Sequence, residues 1–203
     1  MSEKDVFAQR KMGLEEEYFR KKEQELVEQI RQRAKIQAER QELADLVGVA
    51  DEAILATLQE LGYTRETVRL LYLVPLAQVA WASGSVTARE REMVLEAAGL
   101  SGITENSNAH QQLTAWLDQR PEQKFFDQTL RVIRDITAAL PEEKREVGRK
   151  SLVTFCANIA AASGGILGFG NKISEAEQAV IERIAAELEQ GHQDAARQVI
   201  EGN

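Results

Sequence analysis

Two glutamates, Glu90 and Glu177, hold matching places in two similar stretches. Each stands three residues after a hydroxyl, in Thr87-Ala88-Arg89-Glu90 and in Ser174-Glu175-Ala176-Glu177. That spacing has two chemical readings. It is a capping box, in which the hydroxyl takes an orphan amide at a helix start and the carboxylate reaches back to the cap's own N–H. If the two stretches also pack against each other, their carboxylates meet and offer oxygen ligands to a hard divalent cation such as calcium. Capping alone is sufficient to explain both residues, so the metal reading stands beside it as an alternative.

The remaining reactive side chains make no further set. In Gly165-Ile166-Leu167-Gly168-Phe169-Gly170-Asn171-Lys172, Gly165 and Gly170 have the spacing of a phosphate-binding loop. Asn171 stands where the lysine belongs, however, and the pattern ahead of the loop is helical, not strand-like. Its Ile166, Leu167 and Phe169 either fold back onto a bundle or stand out as an apolar knob, with Phe169 a candidate partner contact. His110 and His192 are far apart in polar surroundings and read as surface residues. No Ser–His–Asp or Cys–His arrangement can be argued from spacing. Cys156 lies on an apolar helical face and reads as a small core residue; Trp81 and Trp116 read as core anchors. The chain is expected not to be an enzyme, and no cofactor is implied beyond a divalent cation at Glu90 and Glu177.

The elements that would place the two glutamates form a repeat. Leu73–Gly84 reads LVPLAQVAWASG and Val153–Gly164 reads VTFCANIAAASG. At an offset of 80, Ala77, Ala80, Ala82, Ser83 and Gly84 recur as Ala157, Ala160, Ala162, Ser163 and Gly164. Small residues at such positions let helices approach closely, and a glycine suits the left-handed turn that ends a helix. Past the turn come the two capping boxes, with Met93 and Val94 matched by Val180 and Ile181 on the buried face. The spacing predicts helices at about 51–61, 64–82, 87–98, 106–119, 122–139, 142–163 and 174–189, and a short one near 192–200. Gly62, Gly84, Gly99, Gly191, Pro121 and Pro141 supply the stops and starts, and Pro75 should kink the helix over 64–82. The expected architecture is all-α: a multi-helix bundle on a duplicated helical hairpin (repeats at about 64–98 and 142–189) within residues 46–203, preceded by a long charged helix over 1–45.

Composition agrees with that class. The 203 residues are 43% hydrophobic and only 5% aromatic, with three prolines. Strong helix formers dominate, and no strictly alternating run suggests a strand. The formal charge is −8, which disfavours phosphate backbones and anionic lipids without a local basic patch, so nucleic-acid binding is not expected. The single cysteine fits a reducing compartment. The N-terminus shows no apolar signal region, and the apolar stretch Leu70–Ala82 is too short to span a bilayer. A cytoplasmic location without membrane insertion is expected.

Between Glu3 and Asp45 stand 11 acidic and 10 basic side chains, which leaves 22 acids and 15 bases for the rest. The front is thus densely charged yet near neutral. Opposite charges three or four residues apart (Glu17 with Lys21, Glu28 with Arg31, Lys35 with Glu39) each support a helix by roughly 0.2–0.5 kcal/mol. Its apolar residues thin out beyond Ile30 and hold no heptad seam, which argues against a permanent coiled coil. Either this helix lies on a protein partner through Phe7, Leu14, Tyr18, Phe19, Arg20, Leu26 and Ile30, or it packs loosely on its own domain.

Two resemblances follow from these residues. The turns at Ala82-Ser83-Gly84 and Ala162-Ser163-Gly164, each leading to a glutamate-bearing capped helix, resemble the TerB-like (tellurite-resistance) helical domain over roughly residues 65–190. That resemblance implies an all-helical fold, a link to stress responses and weak divalent-metal binding by acidic residues. Ser83 stands where that family has aspartate, so only Glu90 and Glu177 carry over. The segment Phe7-Ala8-Gln9-Arg10 and Leu14-Glu15-Glu16-Glu17-Tyr18-Phe19-Arg20-Lys21-Lys22-Glu23 is similar to the helix of the mitochondrial ATP synthase inhibitor family. This implies a rotary ATPase as partner, without the family's histidine-based pH switch, since no histidine precedes His110. The expectation is a non-enzymatic binding or adaptor protein, with rotary-ATPase inhibition and divalent-metal sensing as alternatives.

Overall fold

The computed structural model describes the backbone of residues 3–163 and 173–201, and side chains at 18–145, 147–148, 150–160 and 173–189. The fold is all-α, and no strand occurs among the described residues. In order come α1 (Glu3–Val47), α2 (Glu52–Glu60), a 3-10 helix (Val68–Leu73), α3 (Val74–Ala80), α4 (Ala88–Leu100), α5 (Asn108–Asp118), α6 (Gln123–Ala139), α7 (Glu142–Ser163) and α8 (Glu175–Glu201). The chain divides into two units, Met1–Gln41 and Glu42–Asn203. Leu43 and Ala44, which the sequence places in the leading helix, are buried with the core of the second unit.

Local chemistry sets the helix ends. Asp51 caps α2, its Oδ1 accepting from the amides of Ala53 and Ile54 at 2.9 and 3.1 Å. The same helix closes with two backbone bonds around Gly62, from Tyr63 N to Leu58 O and from Gly62 N to Gln59 O, both 2.9 Å. That is a Schellman end, and it needs the φ of +81° that glycine adopts without strain. α4 ends in the same way at Gly102, not at Gly99, because Gly99 still has helical backbone. Ser107 caps α5 by accepting from His110 N.

Other expectations change. The stretch 64–82 is not one kinked helix: a 3-10 turn runs to Leu73, and Pro75 lies in the first turn of α3. There its missing N–H is one of the donors that no helix could satisfy anyway, so it starts an element where a mid-helix position would have bent one. Gly191 also fails as a stop, since α8 continues to Glu201. A single glycine inside a helix costs about 1 kcal/mol relative to alanine and need not end it.

All seven residues of α3 are buried, as expected of a helix with neighbours on every side. It packs on α4, α6, α7, α8 and the 3-10 helix. α6 is one-sided: Phe126, Thr129, Leu130, Ile133, Ile136 and Thr137 recur at helical spacing along its buried face. Arg134 fastens α6 to α8 by donating to Glu187 at 2.8 Å. The Tyr63 hydroxyl, buried beside the Thr129 hydroxyl at 3.3 Å, is held far from ionisation by burial, which outweighs the stabilising effect of that hydrogen bond. Of the two tryptophans read as core anchors, Trp116 packs against the core and Trp81 is not among the side chains that do. Both are half-buried, and the Trp81 indole N–H donates to the Trp116 carbonyl at 2.8 Å.

Candidate functional site

The two capping boxes form with nearly the same geometry. At the start of α4, Glu90 Oε2 accepts from Thr87 N at 2.6 Å, while Thr87 Oγ1 accepts from Glu90 N at 3.2 Å. At the start of α8, Glu177 Oε2 accepts from Ser174 N at 2.7 Å, while Ser174 Oγ accepts from Glu177 N at 3.2 Å. A carboxylate at a helix N-terminus also gains from the helix dipole.

Capping does not account for everything. Glu90 is 0% exposed and Glu177 1%, whereas cap glutamates ordinarily reach water. Burying a carboxylate is costly unless its oxygens are satisfied. Glu90 Oε1 finds no hydrogen-bond donor among the described residues. The Glu177 carboxyl lies near enough to that of Glu90 to act on it. Burial raises the proton affinity of Glu90 above that of an ordinary glutamate; its bonds to Thr87 pull the other way, and the charge of Glu177 and a hydrogen bond between the two carboxyls raise it again. For Glu90, a like charge nearby in a dry site favours the protonated form. As an ionised pair the site has an orphan oxygen. With one shared proton, or with a cation between the carboxyls, it does not.

No group of three or more His, Cys, Asp or Glu side chains able to hold a metal occurs among the described residues. Glu90 and Glu177 would therefore supply only part of a calcium shell, which takes six to eight oxygens. Cys156 is fully buried, and burial pushes its thiol up to about 12; it is an inert core residue and not a nucleophile. His110 is half-buried at the start of α5, where a surface position was expected. His192 falls outside the residues with described side chains. No protein-family model matches the chain, and neither does any curated protein or solved structure compared with it.

The residues proposed for partner contact, Phe169 apart, lie on α1. Tyr18, Phe19, Leu26 and Ile30 are 59, 67, 57 and 57% exposed, and Arg20 is exposed with them. The Tyr18 and Phe19 rings meet edge to face, with centroids 5.9 Å apart. At about 100° per residue, Phe19, Leu26 and Ile30 fall within roughly 40° of one another around the helix. The expected Lys35–Glu39 pair forms at 4.0 Å, while Glu28 takes its bond from Gln32 instead of Arg31. The side chains of Phe7 and Leu14, and the whole of Phe169 with its glycine-rich loop, lie outside the described residues.

Sequence reasoning missed one feature. An apolar pocket opens in the second unit between the 3-10 helix and α3, α4, α6, α7 and α8, reached by Tyr72, Leu100, Lys144, Gly148 and Phe155. Each of its walls reads in sequence as ordinary core periodicity. The one local signal is Gly148, a glycine inside the helical pattern of α7.

Proposed function

We infer that the chain is a non-catalytic helical binding protein that engages a protein partner through α1. One observation carries this reading: four large apolar or aromatic side chains, more than half exposed, lie within thirteen residues of one helix. Exposed apolar groups gathered in this way are uncommon unless something binds them, and aromatic residues are the usual anchors of protein interfaces. The resemblance to TerB-like domains supports an adaptor role, and the resemblance to ATP synthase inhibitors supports a rotary ATPase as one partner to try first. The test is cross-linked capture of partners by the full chain and by a Phe19→Glu, Leu26→Glu variant. Loss of specific partners with unchanged melting supports the reading; identical partner sets would refute it. In the same comparison, slowing of ATP hydrolysis by the unaltered chain alone would name the partner.

A second reading, divalent-cation binding at Glu90 and Glu177, is favoured by the orphan Oε1 of Glu90 beside a second buried carboxyl. Calcium added at pH 8 should raise the melting temperature of the unaltered chain and not that of Glu177→Gln, since a ligand that binds only the folded state stabilises it. No calcium-dependent shift would end this reading.

A further inference from the structure

The pocket beside α7 is built unlike the rest of the surface. It encloses about 400 Å³, within the range of small-ligand sites. Leu73, Leu76, Ile133 and Leu188 form a nearly fully buried floor. Tyr72, Leu100 and Phe155 surround the mouth, with Leu100 82% exposed. Of the polar groups, the Thr137 hydroxyl is spent on Ile133 O at 2.6 Å. In a chain with 33 acidic and 25 basic residues, no carboxylate lines this pocket among the described residues, and the charged group that they place there is the exposed Lys144.

Gly148 adds an independent argument. It sits inside α7, where glycine is a poorer helix former than alanine. A Cβ built there would meet no atom within 4 Å, so close helix packing does not explain it. Gly148 is exposed and lines the pocket, so a large side chain there would stand in open space beside it.

We propose that this pocket binds a free fatty acid, its alkyl chain among Leu73, Leu76, Ile133 and Leu188 and its carboxylate on the Lys144 ammonium. A dry apolar floor rewards methylenes, the cation at the rim favours an anion, and a mostly apolar lining gives a polar ligand few partners.

Calorimetry on the full chain with hexanoate, octanoate and decanoate, each below its micelle-forming concentration, tests this, with decanol as the neutral comparator. Affinity should rise about fourfold per added methylene until the pocket is full. Gly148→Trp should weaken decanoate by about tenfold or more by filling the space. Lys144→Gln should weaken decanoate by about two- to fivefold, as befits an exposed ion pair, and leave decanol unchanged. Should the tryptophan disturb folding, Leu100→Asp at the exposed mouth serves instead and should weaken decanoate more than decanol. The proposal is overturned by absence of decanoate binding, by binding that both Gly148→Trp and Leu100→Asp leave intact, or by equal effects of Lys144→Gln on decanoate and decanol. Self-association that Gly148→Trp abolishes and decanoate does not disturb would instead assign the face to a second copy of the chain.

Discussion

The carboxyls of Glu90 and Glu177, each committed through one oxygen to the cap of its own helix, meet in the interior of the second unit. The two helix starts are thereby joined through a pair of acids, and the state of that pair should be felt by the whole bundle.

The consequence for pH has a definite sign. Glu90 binds its proton more tightly in the folded chain than in an unfolded one. The stability that this proton contributes is complete below the ordinary carboxylate range and is lost as pH rises through the raised folded value. Glu90→Gln imitates the protonated form: its amide oxygen can still accept from Thr87 N, and its NH₂ can donate to Glu177. Thermal melting from pH 4 to pH 8 should show the unaltered chain losing stability relative to Glu90→Gln as pH rises, with the two alike at pH 4. A difference of opposite sign at pH 8 would mean that the ionised pair is held by something other than a proton.

The caps themselves can be weighed separately. Thr87→Ala and Ser174→Ala each remove one hydroxyl acceptor and should each cost about 1 kcal/mol in urea denaturation. Because the two boxes converge on one acid pair, the double variant should depart from additivity, as neighbouring sites do. Strict additivity would show that the boxes act independently.

How much of this was legible in the sequence depends on the range over which each feature is determined. Capping boxes and glycine ends are local, and Thr87, Ser174, Asp51 and Gly62 do what their types and spacing dictate. The difference between a kinked α-helix and a 3-10 turn followed by a short α-helix is not local. The pattern of Val68, Leu70, Leu71 and Leu73 suits either, and packing on every side of α3 decides. The meeting of Glu90 with Glu177 could be anticipated only through the similarity of two segments. The pocket was hidden, because several separate helices each contribute residues that read as core, and nothing in one helix says that the neighbouring side chains stop short.

The boundary between the units can be located by truncation. From residue 18 to residue 39 every side chain is exposed, whereas Leu43 is 1% exposed and Ala44 is buried with it. Removing residues 1–38 should leave the unfolding free energy of the remainder within about 1 kcal/mol, as surface changes usually do. Removing residues 1–45 takes Leu43 out of the core and should cost about 2–5 kcal/mol, the usual range for emptying a buried leucine site. Equal losses from both truncations would mean that α1 contributes to stability along its length.

Gly148 offers a direct comparison of stability with function. It interrupts α7 with the poorest helix former after proline, yet a methyl group at its Cβ would touch nothing within 4 Å. Gly148→Ala should therefore stabilise the chain by up to about 1 kcal/mol, through helix propensity and a less flexible unfolded chain, a gain visible as a higher melting temperature. A methyl is small beside a cavity of about 400 Å³, so this variant should keep most of its decanoate binding, whereas Gly148→Trp should not. If Gly148→Ala is destabilising, the glycine is there for the backbone of α7, and the open wall of the pocket is incidental to it.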